Sequence, residues 1–319
     1  MKSISFKDQV VIVTGAGGGL GRCYALDIAS RGGAVIVNDL GANVEGSSKP
    51  SNCMADDVVA EIHAQRGRAV ANYDSVASAD GAKKIVDQAL SSFGRIDALI
   101  NNAGNMRNDW LDDSREADFN ALISVHLLGT YNVTKAAWPV MKAQGSGRIV
   151  FTTSSAGIYG KEMHACYAAA KGGVMGLMNA LALEGEPHGI LCNGIMPNAF
   201  SRMTDMAEKK MLNAGTEVNQ VRALVGDSME SDFTTGLAVY LASKYCESNH
   251  AMYSSCAGRM ARVFIGATEG WHGSREKPAT AEDIHKHFAN ICDLHSGVHL
   301  PQSPGDEFNI VLSRPAAKI

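Results

Sequence analysis

Short apolar runs alternate with longer stretches of helical periodicity between residues 9 and 195. The first run, Gln9-Val10-Val11-Ile12-Val13, is almost wholly apolar, which is typical of a strand buried on both faces of a parallel sheet. The pattern predicts strands at residues 9–13, 34–38, 97–100, 148–152 and 190–195, and helices at residues 55–65, 79–93, 119–143 and 166–184. This alternation predicts an α/β fold, a Rossmann-type doubly wound parallel sheet with helices on both faces.

A glycine-rich segment, Thr14-Gly15-Ala16-Gly17-Gly18-Gly19-Leu20-Gly21, joins the first predicted strand to a helical stretch at residues 22–31. This layout binds dinucleotide phosphates, because glycines admit the pyrophosphate and the helix N-terminus favours negative charge. The spacing is Thr-Gly-x-x-x-Gly-x-Gly, since the sixth position of a strict G-x-G-x-x-G pattern is Leu20. The alternative interpretation is a flexible glycine-rich turn without a ligand.

Asp39 closes the second predicted strand, eighteen residues beyond Gly21. An acidic side chain at this place accepts hydrogen bonds from a ribose 2′-hydroxyl and repels a 2′-phosphate. It therefore predicts NAD rather than NADP as the cofactor. A plain surface aspartate is the alternative.

Tyr167 and Lys171 are four residues apart in a predicted helix, on the same face, and Ser154 lies thirteen residues before the tyrosine. A lysine ammonium beside a phenol favours the phenolate, so it lowers a pKa that starts near ~10. A serine hydroxyl brought to the same place can hold a substrate oxygen. The three residues predict a general acid/base that moves a proton between a carbonyl and an alcohol.

These features, with Asn101-Asn102-Ala103-Gly104, resemble the short-chain dehydrogenase/reductase family over residues 6 to 270. The resemblance implies that Ser154 orients the substrate oxygen, Tyr167 exchanges the proton, and Lys171 lowers the tyrosine pKa and holds the nicotinamide ribose. It implies an NAD site formed by Gly15, Gly19, Leu20, Gly21, Asp39, Asp74, Ser75, Asn102, Ala103, Gly104, Tyr167, Lys171, Pro197, Asn198 and Ala199. It also implies a dehydrogenase domain at residues 1–270 and, at residues 271–319, a C-terminal extension packed on that domain.

One position departs from the family pattern. The family carries an asparagine, as Asn-Leu-x-Gly, where this chain has His126-Leu127-Leu128-Gly129. In the family that asparagine helps to position a proton-relay water. His126 is therefore a candidate catalytic residue that relays protons through a ring nitrogen, and a purely structural histidine is the alternative.

A narrower resemblance links the chain to the dehydrogenase units of type 2 peroxisomal multifunctional enzymes. The matching segments include Val37-Asn38-Asp39-Leu40-Gly41 and Ser155-Ala156-Gly157-Ile158-Tyr159-Gly160. This resemblance implies oxidation of a (3R)-hydroxyacyl-CoA with NAD, with a steroid side chain or another bulky acyl group as a possible substrate. The alternatives are oxidation of a free hydroxysteroid or other secondary alcohol and, in another class of protein, a non-catalytic dinucleotide-binding regulator.

Composition narrows the range of partners. The 319 residues carry a net charge of −4 and show no basic stripe, so we expect no nucleic-acid partner. No run of about 18 apolar residues occurs, so we expect no membrane span, and the N-terminus has no signal-peptide core. The last residues are not a Ser-Lys-Leu type of address, and seven cysteines without C-x-x-C spacing are typical of reduced thiols. Together these features predict a cytoplasmic protein.

The remaining histidines and the segments near the C-terminus give weaker signals. Histidine pairs at positions 285 and 287 and at positions 295 and 299 could contribute to a zinc site, but the proposed chemistry needs no metal and we predict none. Thr280 is expected to begin a helix that runs to Cys292, and residues 308–312 are expected to form a short strand. By family resemblance, residues 203–211 form a substrate lid, and the helices at 119–143 and 166–184 pair across the axis of a homodimer or homotetramer.

Overall fold

The computed structural model describes residues 3–46, 53–200 and 224–312. Its main sheet has eight strands in the order β3-β2-β1-β4-β5-β6-β7-β8. The strands are β1 (Val10–Thr14), β2 (Ala34–Asn38), β3 (Arg68–Asn72), β4 (Ala98–Asn101), β5 (Gly147–Thr152), β6 (Ile190–Asn198), β7 (Ala251–Cys256) and β8 (Arg259–Val263). Each neighbouring pair from β3 to β7 is parallel. The predicted Rossmann-type doubly wound sheet is confirmed.

Helices cover both faces of this sheet. They are α1 (Gly19–Ser30), α2 (Cys53–Ala64), α3 (Ala79–Phe93), α4 (Glu116–Leu122), α5 (Gly129–Gln144), α6 (Ala156–Tyr159), α7 (Ala165–Gly185) and α8 (Asp232–Ala242). The stretch predicted as one helix at residues 119–143 is interrupted, because a π-helix at Ile123–Leu128 separates α4 from α5. A π-helical turn widens the hydrogen-bond ladder and is frequent at functional sites. His126 lies inside it.

The core has two layers because successive side chains of each strand point to opposite faces. Val11 and Val13 of β1 pack on the side of α1, α2 and α8. Val10 and Ile12 pack on the side of α3, α5 and α7. In the sheet, β2 lies on one side of β1 and β4 lies on the other, so the strand order reverses at β1. A crevice opens at this reversal, at the carboxyl ends of the strands, which is where ligands bind in such sheets.

The chain divides into two compact units, Met1–Arg262 and Val263–Ile319. The division lies eight residues before the boundary expected at residue 270. The second unit contains a two-stranded antiparallel pair, β9 (Ala267–Thr268) and β10 (Val298–His299), and two helices, α9 (Ala281–Ile291) and α10 (Pro304–Leu312). Helix α9 begins with the predicted capping box, in which Thr280 and Asp283 bond reciprocally.

The prediction of a strand at residues 308–312 is wrong, because these residues belong to α10. The backbone N–H of Asp306 donates to Ser303 Oγ, and the backbone N–H of Ser303 donates to Asp306 Oδ2 at 3.0 Å. These reciprocal bonds cap a helix that starts at Pro304, a residue suited to a first helical position. A short apolar run cannot distinguish strand from helix by itself.

Two further expectations concern a substrate lid and a membrane span. The lid expected at residues 203–211 lies outside the residues that the structure describes. Among the described helices, none is long and apolar enough to cross a membrane.

Candidate active site

A cavity of about 410 Å³ lies at the carboxyl ends of β1, β2, β4, β5 and β6, where the sheet order reverses. Its wall brings together Ser154, Tyr167, Lys171 and His126, the four predicted catalytic residues. The same wall holds Gly15, Gly19, Leu20, Asp39, Asp74, Ser75, Asn102, Ala103, Gly104, Pro197, Asn198 and Ala199 from the predicted cofactor set. Residues separated by up to 184 positions in the chain thus meet in one place.

Gly21 is the one predicted cofactor residue that does not line this cavity. It is buried behind the turn, where a Cβ would collide with the carbonyl oxygen of Gly15 and lie 2.6 Å from Asn102 Nδ2. Its requirement for glycine therefore comes from close packing beneath the phosphate turn. Gly15 needs its own freedom, since its φ is +65° and a Cβ would lie 2.8 Å from Ala103 Cα.

Asn102 directly follows β4 and hydrogen-bonds the glycine turn that follows β1. Its Nδ2 donates to the carbonyl oxygens of Thr14 and Gly15 at 3.0 and 3.1 Å, and its backbone N–H donates to Thr14 Oγ1. These bonds occupy the amide donors with backbone acceptors. Asn102 is therefore placed to shape the cofactor cleft, a role that its motif alone does not reveal.

Asp39 links the glycine turn to the loop after β2. Its Oδ2 accepts from the backbone N–H of Gly17 and its Oδ1 from that of Gly41, both at 2.8 Å. A carboxylate oxygen can accept more than one hydrogen bond, so both oxygens retain capacity for a ribose hydroxyl. The glycine turn, the helix N-terminus behind it and this carboxylate fit a dinucleotide whose adenosine ribose carries a free 2′-hydroxyl.

Tyr167 and Lys171 lie one turn apart near the start of α7, and Lys171 is buried. The Lys171 ammonium donates to the carbonyl oxygen of Thr152 at 2.6 Å, and its Nζ is 5.8 Å from the centroid of the Tyr167 ring. Ser154 reaches the same phenol from the loop after β5, where it hydrogen-bonds Tyr167. The geometry of the three side chains suits proton exchange at one substrate oxygen.

The expected lowering of the tyrosine pKa is not what the structure gives. Burial raises the pKa of Tyr167 to about 12, and the hydrogen bond with Ser154 only partly offsets this. Burial also lowers the pKa of Lys171 to about 7. Both shifts have the same cause, because a poorly solvated site disfavours the phenolate and the ammonium alike. Burial therefore outweighs any lowering of the tyrosine pKa by the neighbouring lysine.

His126 is 1% exposed and its ring meets the Tyr167 ring edge-on, with centroids 5.2 Å apart. Nε2 lies 2.8 Å from the carbonyl oxygen of Asn105 and 3.3 Å from its backbone nitrogen. The shorter contact is to an atom that can only accept, which assigns the proton to Nε2 and a lone pair to Nδ1. Nδ1 is buried and has no partner within the described residues. Burial, and then the charge of Lys171, holds the pKa of His126 well below its usual value. The ring is neutral and anchors the loop after β4.

Gly104 is tied to this histidine. A Cβ at Gly104 would lie 2.5 Å from His126 Cε1. The glycine of the Asn-Asn-Ala-Gly motif therefore leaves the space that the larger imidazole occupies.

Among the wall residues that sequence reasoning missed, two have titratable side chains, Lys161 and His164. His164 is three residues before Tyr167, a spacing that places both on one side of a helix start. That spacing was the available signal, but nothing in the sequence indicated that residues 160–164 turn towards the cavity. Across residues 3–46, 53–200 and 224–312, no group of three His, Cys, Asp or Glu residues could hold a metal ion.

Comparisons with known proteins agree with this geometry. The model of the short chain dehydrogenase family matches residues 9–214. The chain is 47% identical over 305 residues to a peroxisomal hydratase-dehydrogenase-epimerase of Neurospora crassa, covering 96% of this chain and 32% of that protein. It is 42% identical over 301 residues to the mouse peroxisomal multifunctional enzyme type 2, covering 94% of this chain and 38% of that protein.

A solved structure gives the same result. The full-length peroxisomal multifunctional enzyme type 2 of Drosophila melanogaster superposes with a TM-score of 0.77 at 30% identity, over 97% of this chain and 50% of that one. The chain thus spans between about a third and a half of the length of these relatives. The matched family model, the similar relatives and the superposed structure lead to one conclusion: this chain belongs to the short-chain dehydrogenase family.

Proposed function

We propose that this chain is an NAD-dependent dehydrogenase that oxidises the 3-hydroxyl of a (3R)-hydroxyacyl-CoA to a ketone, a step of β-oxidation. The observation that carries the proposal is the common wall on which Ser154, Tyr167 and Lys171 lie beside the glycine turn and Asp39. The name of the Neurospora crassa relative supports the dehydrogenase activity, and the hydratase named with it would supply a hydroxyl for a dehydrogenase to oxidise.

In the proposed reaction, Tyr167 takes the proton of the substrate hydroxyl while Ser154 holds the same oxygen. NAD, when bound, supplies the acceptor for the hydride that leaves the carbinol carbon. Lys171, kept in place by the carbonyl oxygen of Thr152, would hold the nicotinamide ribose of bound NAD. Asp39 holds the adenosine ribose through its 2′-hydroxyl and so favours NAD over NADP.

A substrate panel with NAD tests the proposal. The rates to compare are kcat/KM for a (3R)-hydroxyacyl-CoA, its (3S) isomer and a set of free hydroxysteroids. We expect the (3R) thioester to be preferred over its isomer by at least tenfold. A preference for a free steroid would replace the acyl-CoA substrate with a free secondary alcohol. No turnover of any alcohol, with NAD still bound, would make the chain a dinucleotide-binding regulator.

The cytoplasmic location expected from the sequence remains our proposal. The names of the mouse and Neurospora relatives describe them as peroxisomal. Fractionation of cells that produce the tagged protein distinguishes the two compartments.

A further inference from the structure

Residues 160–164, between α6 and α7, form a rigid part of the cavity wall. Met163 is buried and has φ +60°, a left-handed conformation that is costly for a large side chain. Its carbonyl oxygen accepts from the backbone N–H of Asp109 at 3.1 Å, and the backbone N–H of His164 donates to Lys161 at 3.3 Å. Strained backbone persists where surrounding contacts hold it, and it concentrates at ligand sites. The segment therefore presents its side chains in a fixed arrangement.

His164 is the central side chain of this segment. It is 3% exposed, lies on the cavity wall, and its ring centroid is 6.1 Å from that of Tyr167. Nδ1 lies 2.6 Å from the carbonyl oxygen of Glu162, so Nδ1 donates its proton there. In the neutral imidazole Nε2 then has a lone pair and can only accept.

The ring is neutral at pH 7. Burial lowers the pKa of His164, and the charge of Lys161 lowers it further, against the bond to Glu162. Lys161 lies on the same wall and carries only donors. The cavity wall therefore carries an acceptor on His164 and a donor on Lys161, three residues apart in the chain, with the His164 ring beside that of Tyr167.

A secondary amide is the group that matches this pair, because its N–H donates and its carbonyl oxygen accepts. In an acyl thioester of the pantetheine arm, the first amide nitrogen is six bonds from the carbon that bears the 3-hydroxyl. Six bonds span about 7 Å when extended, at ~3.3–3.6 Å for every three bonds. That length is comparable to the separation of the His164 and Tyr167 rings. A simple free alcohol has no such group.

We propose that His164 and Lys161 recognise the first amide of a pantetheine thioester, with Nε2 of His164 accepting from the amide N–H and Lys161 donating to its carbonyl oxygen. The inference rests on the proposed function and adds the two residues that would select a thioester substrate. The arm is common to coenzyme A and to acyl carrier proteins, so both are sources of the same ligand chemistry.

The test compares matched (3R)-hydroxyacyl thioesters: N-acetylcysteamine, which keeps the amide, and butanethiol, which lacks it. Variants His164→Leu and Lys161→Met should raise KM for the amide thioester about 3- to 10-fold, the worth of one hydrogen bond, and leave the butyl thioester unchanged. His164→Gln, which keeps a neutral acceptor, should recover much of the loss. Tyr159→Phe, an exposed neighbour outside the cavity wall, is the matched control.

The outcomes separate the two proposals. An equal loss on both thioesters, or no loss on either, would overturn the recognition site and leave the dehydrogenase assignment standing. Failure of the wild type to oxidise any thioester would overturn both. Acyl-CoA and acyl carrier protein substrates, measured with the wild type and His164→Leu, identify the source of the arm. Melting temperature and NAD binding of each variant confirm that the fold is retained.

Discussion

Tyr167 and Lys171, two titratable side chains at the centre of the site, both have strongly shifted pKa values. The pKa of Tyr167 is raised to about 12 and that of Lys171 lowered to about 7, both chiefly by burial. Phenolate with ammonium and phenol with amine contain the same number of protons, so a proton passed from the phenol to the amine would give the phenolate without changing that number. We therefore expect the reaction to depend on the proton count of the two residues together.

The acid/base role of Tyr167 can be tested by removing its proton. Tyr167→Phe keeps the ring and its edge-on contact with His126, so NAD binding should persist. Activity should fall by at least about 10², the usual worth of a general acid/base. Steady-state kinetics and cofactor fluorescence measure the two effects. Near-full activity in this variant would show that another group moves the proton.

The proton count of the pair predicts the pH dependence. At low pH both groups hold protons and the phenol cannot accept another. As the pH rises past about 7, the first proton leaves the pair through Lys171, so kcat/KM for alcohol oxidation should rise and that for ketone reduction should fall. In Lys171→Met this inflection should disappear. A flat oxidation profile across neutral pH would contradict the shared-proton interpretation.

We propose that Asp39 decides the choice between the two nicotinamide cofactors. Its carboxylate accepts from the backbone N–H groups of Gly17 and Gly41, and in the proposed binding mode it would stand where a 2′-phosphate would bind. Asp39→Ala should narrow the preference for NAD over NADP at least tenfold, because it removes both the 2′-hydroxyl bond and the repulsion. Asp39→Asn, which keeps acceptor capacity, is the control that isolates charge. An unchanged cofactor ratio in both variants would exclude this role.

At the scale of elements, the π-helix at Ile123–Leu128 sets the position of His126. The altered ladder turns the imidazole towards the loop after β4, where Nε2 meets Asn105, and leaves Nδ1 buried near Tyr167. The ring can act by holding that loop or by passing a proton through a water at Nδ1. The two roles differ in what substitution would change.

His126→Asn and His126→Ala distinguish these roles. If His126 relays protons, His126→Ala should lose about 10-fold or more in kcat with an unchanged melting temperature, and His126→Asn should recover part of it. If the ring only anchors Asn105, the alanine variant should lose stability in step with activity. Thermal unfolding and kcat, measured on the same preparations, give the answer. Equal stability and equal turnover for His126→Ala and the wild type would exclude both the proton-relay role and the anchoring role.

At the scale of the whole molecule, the first unit exposes two neighbouring apolar side chains, Leu128 at the end of the π-helix and Tyr131 one turn later on α5. Neighbouring exposed apolar residues of this kind commonly mark a protein–protein interface. The assembly into a homodimer or homotetramer therefore remains our proposal.

Light scattering at micromolar concentration tests this assembly. We expect a mass of at least two chains for the wild type. The double variant Leu128→Glu and Tyr131→Glu places two charges on the exposed face and should yield monomers, while Tyr245→Glu, an exposed aromatic residue elsewhere, should not. A monomeric wild type would contradict the proposed homodimer or homotetramer.

Local patterns in the chain were sufficient for the fold class and for the predicted site residues, of which only Gly21 does not line the cavity. The apolar strands, the glycine turn and the Tyr-x-x-x-Lys spacing are each contained within a few residues, and the positions of all three are set by backbone geometry. The strand prediction for residues 308–312 was wrong because a short apolar run fits both a strand and a helix. The hydrogen bonds between Ser303 and Asp306, which begin the helix, lie outside that run. The capping box of α9 was predictable because it is local.

Tertiary structure alone decided the properties that arise from burial and from distant neighbours. The pKa values of Tyr167 and Lys171 follow from desolvation, which no spacing reveals. The packing role of Gly21 depends on Gly15 and Asn102, and the place of His164 on the wall depends on a strained turn at Met163. The sequence determined which chemical groups are present and which surfaces form strands and helices. Only the folded chain determined which of those groups meet, because that depends on contacts between residues far apart in sequence.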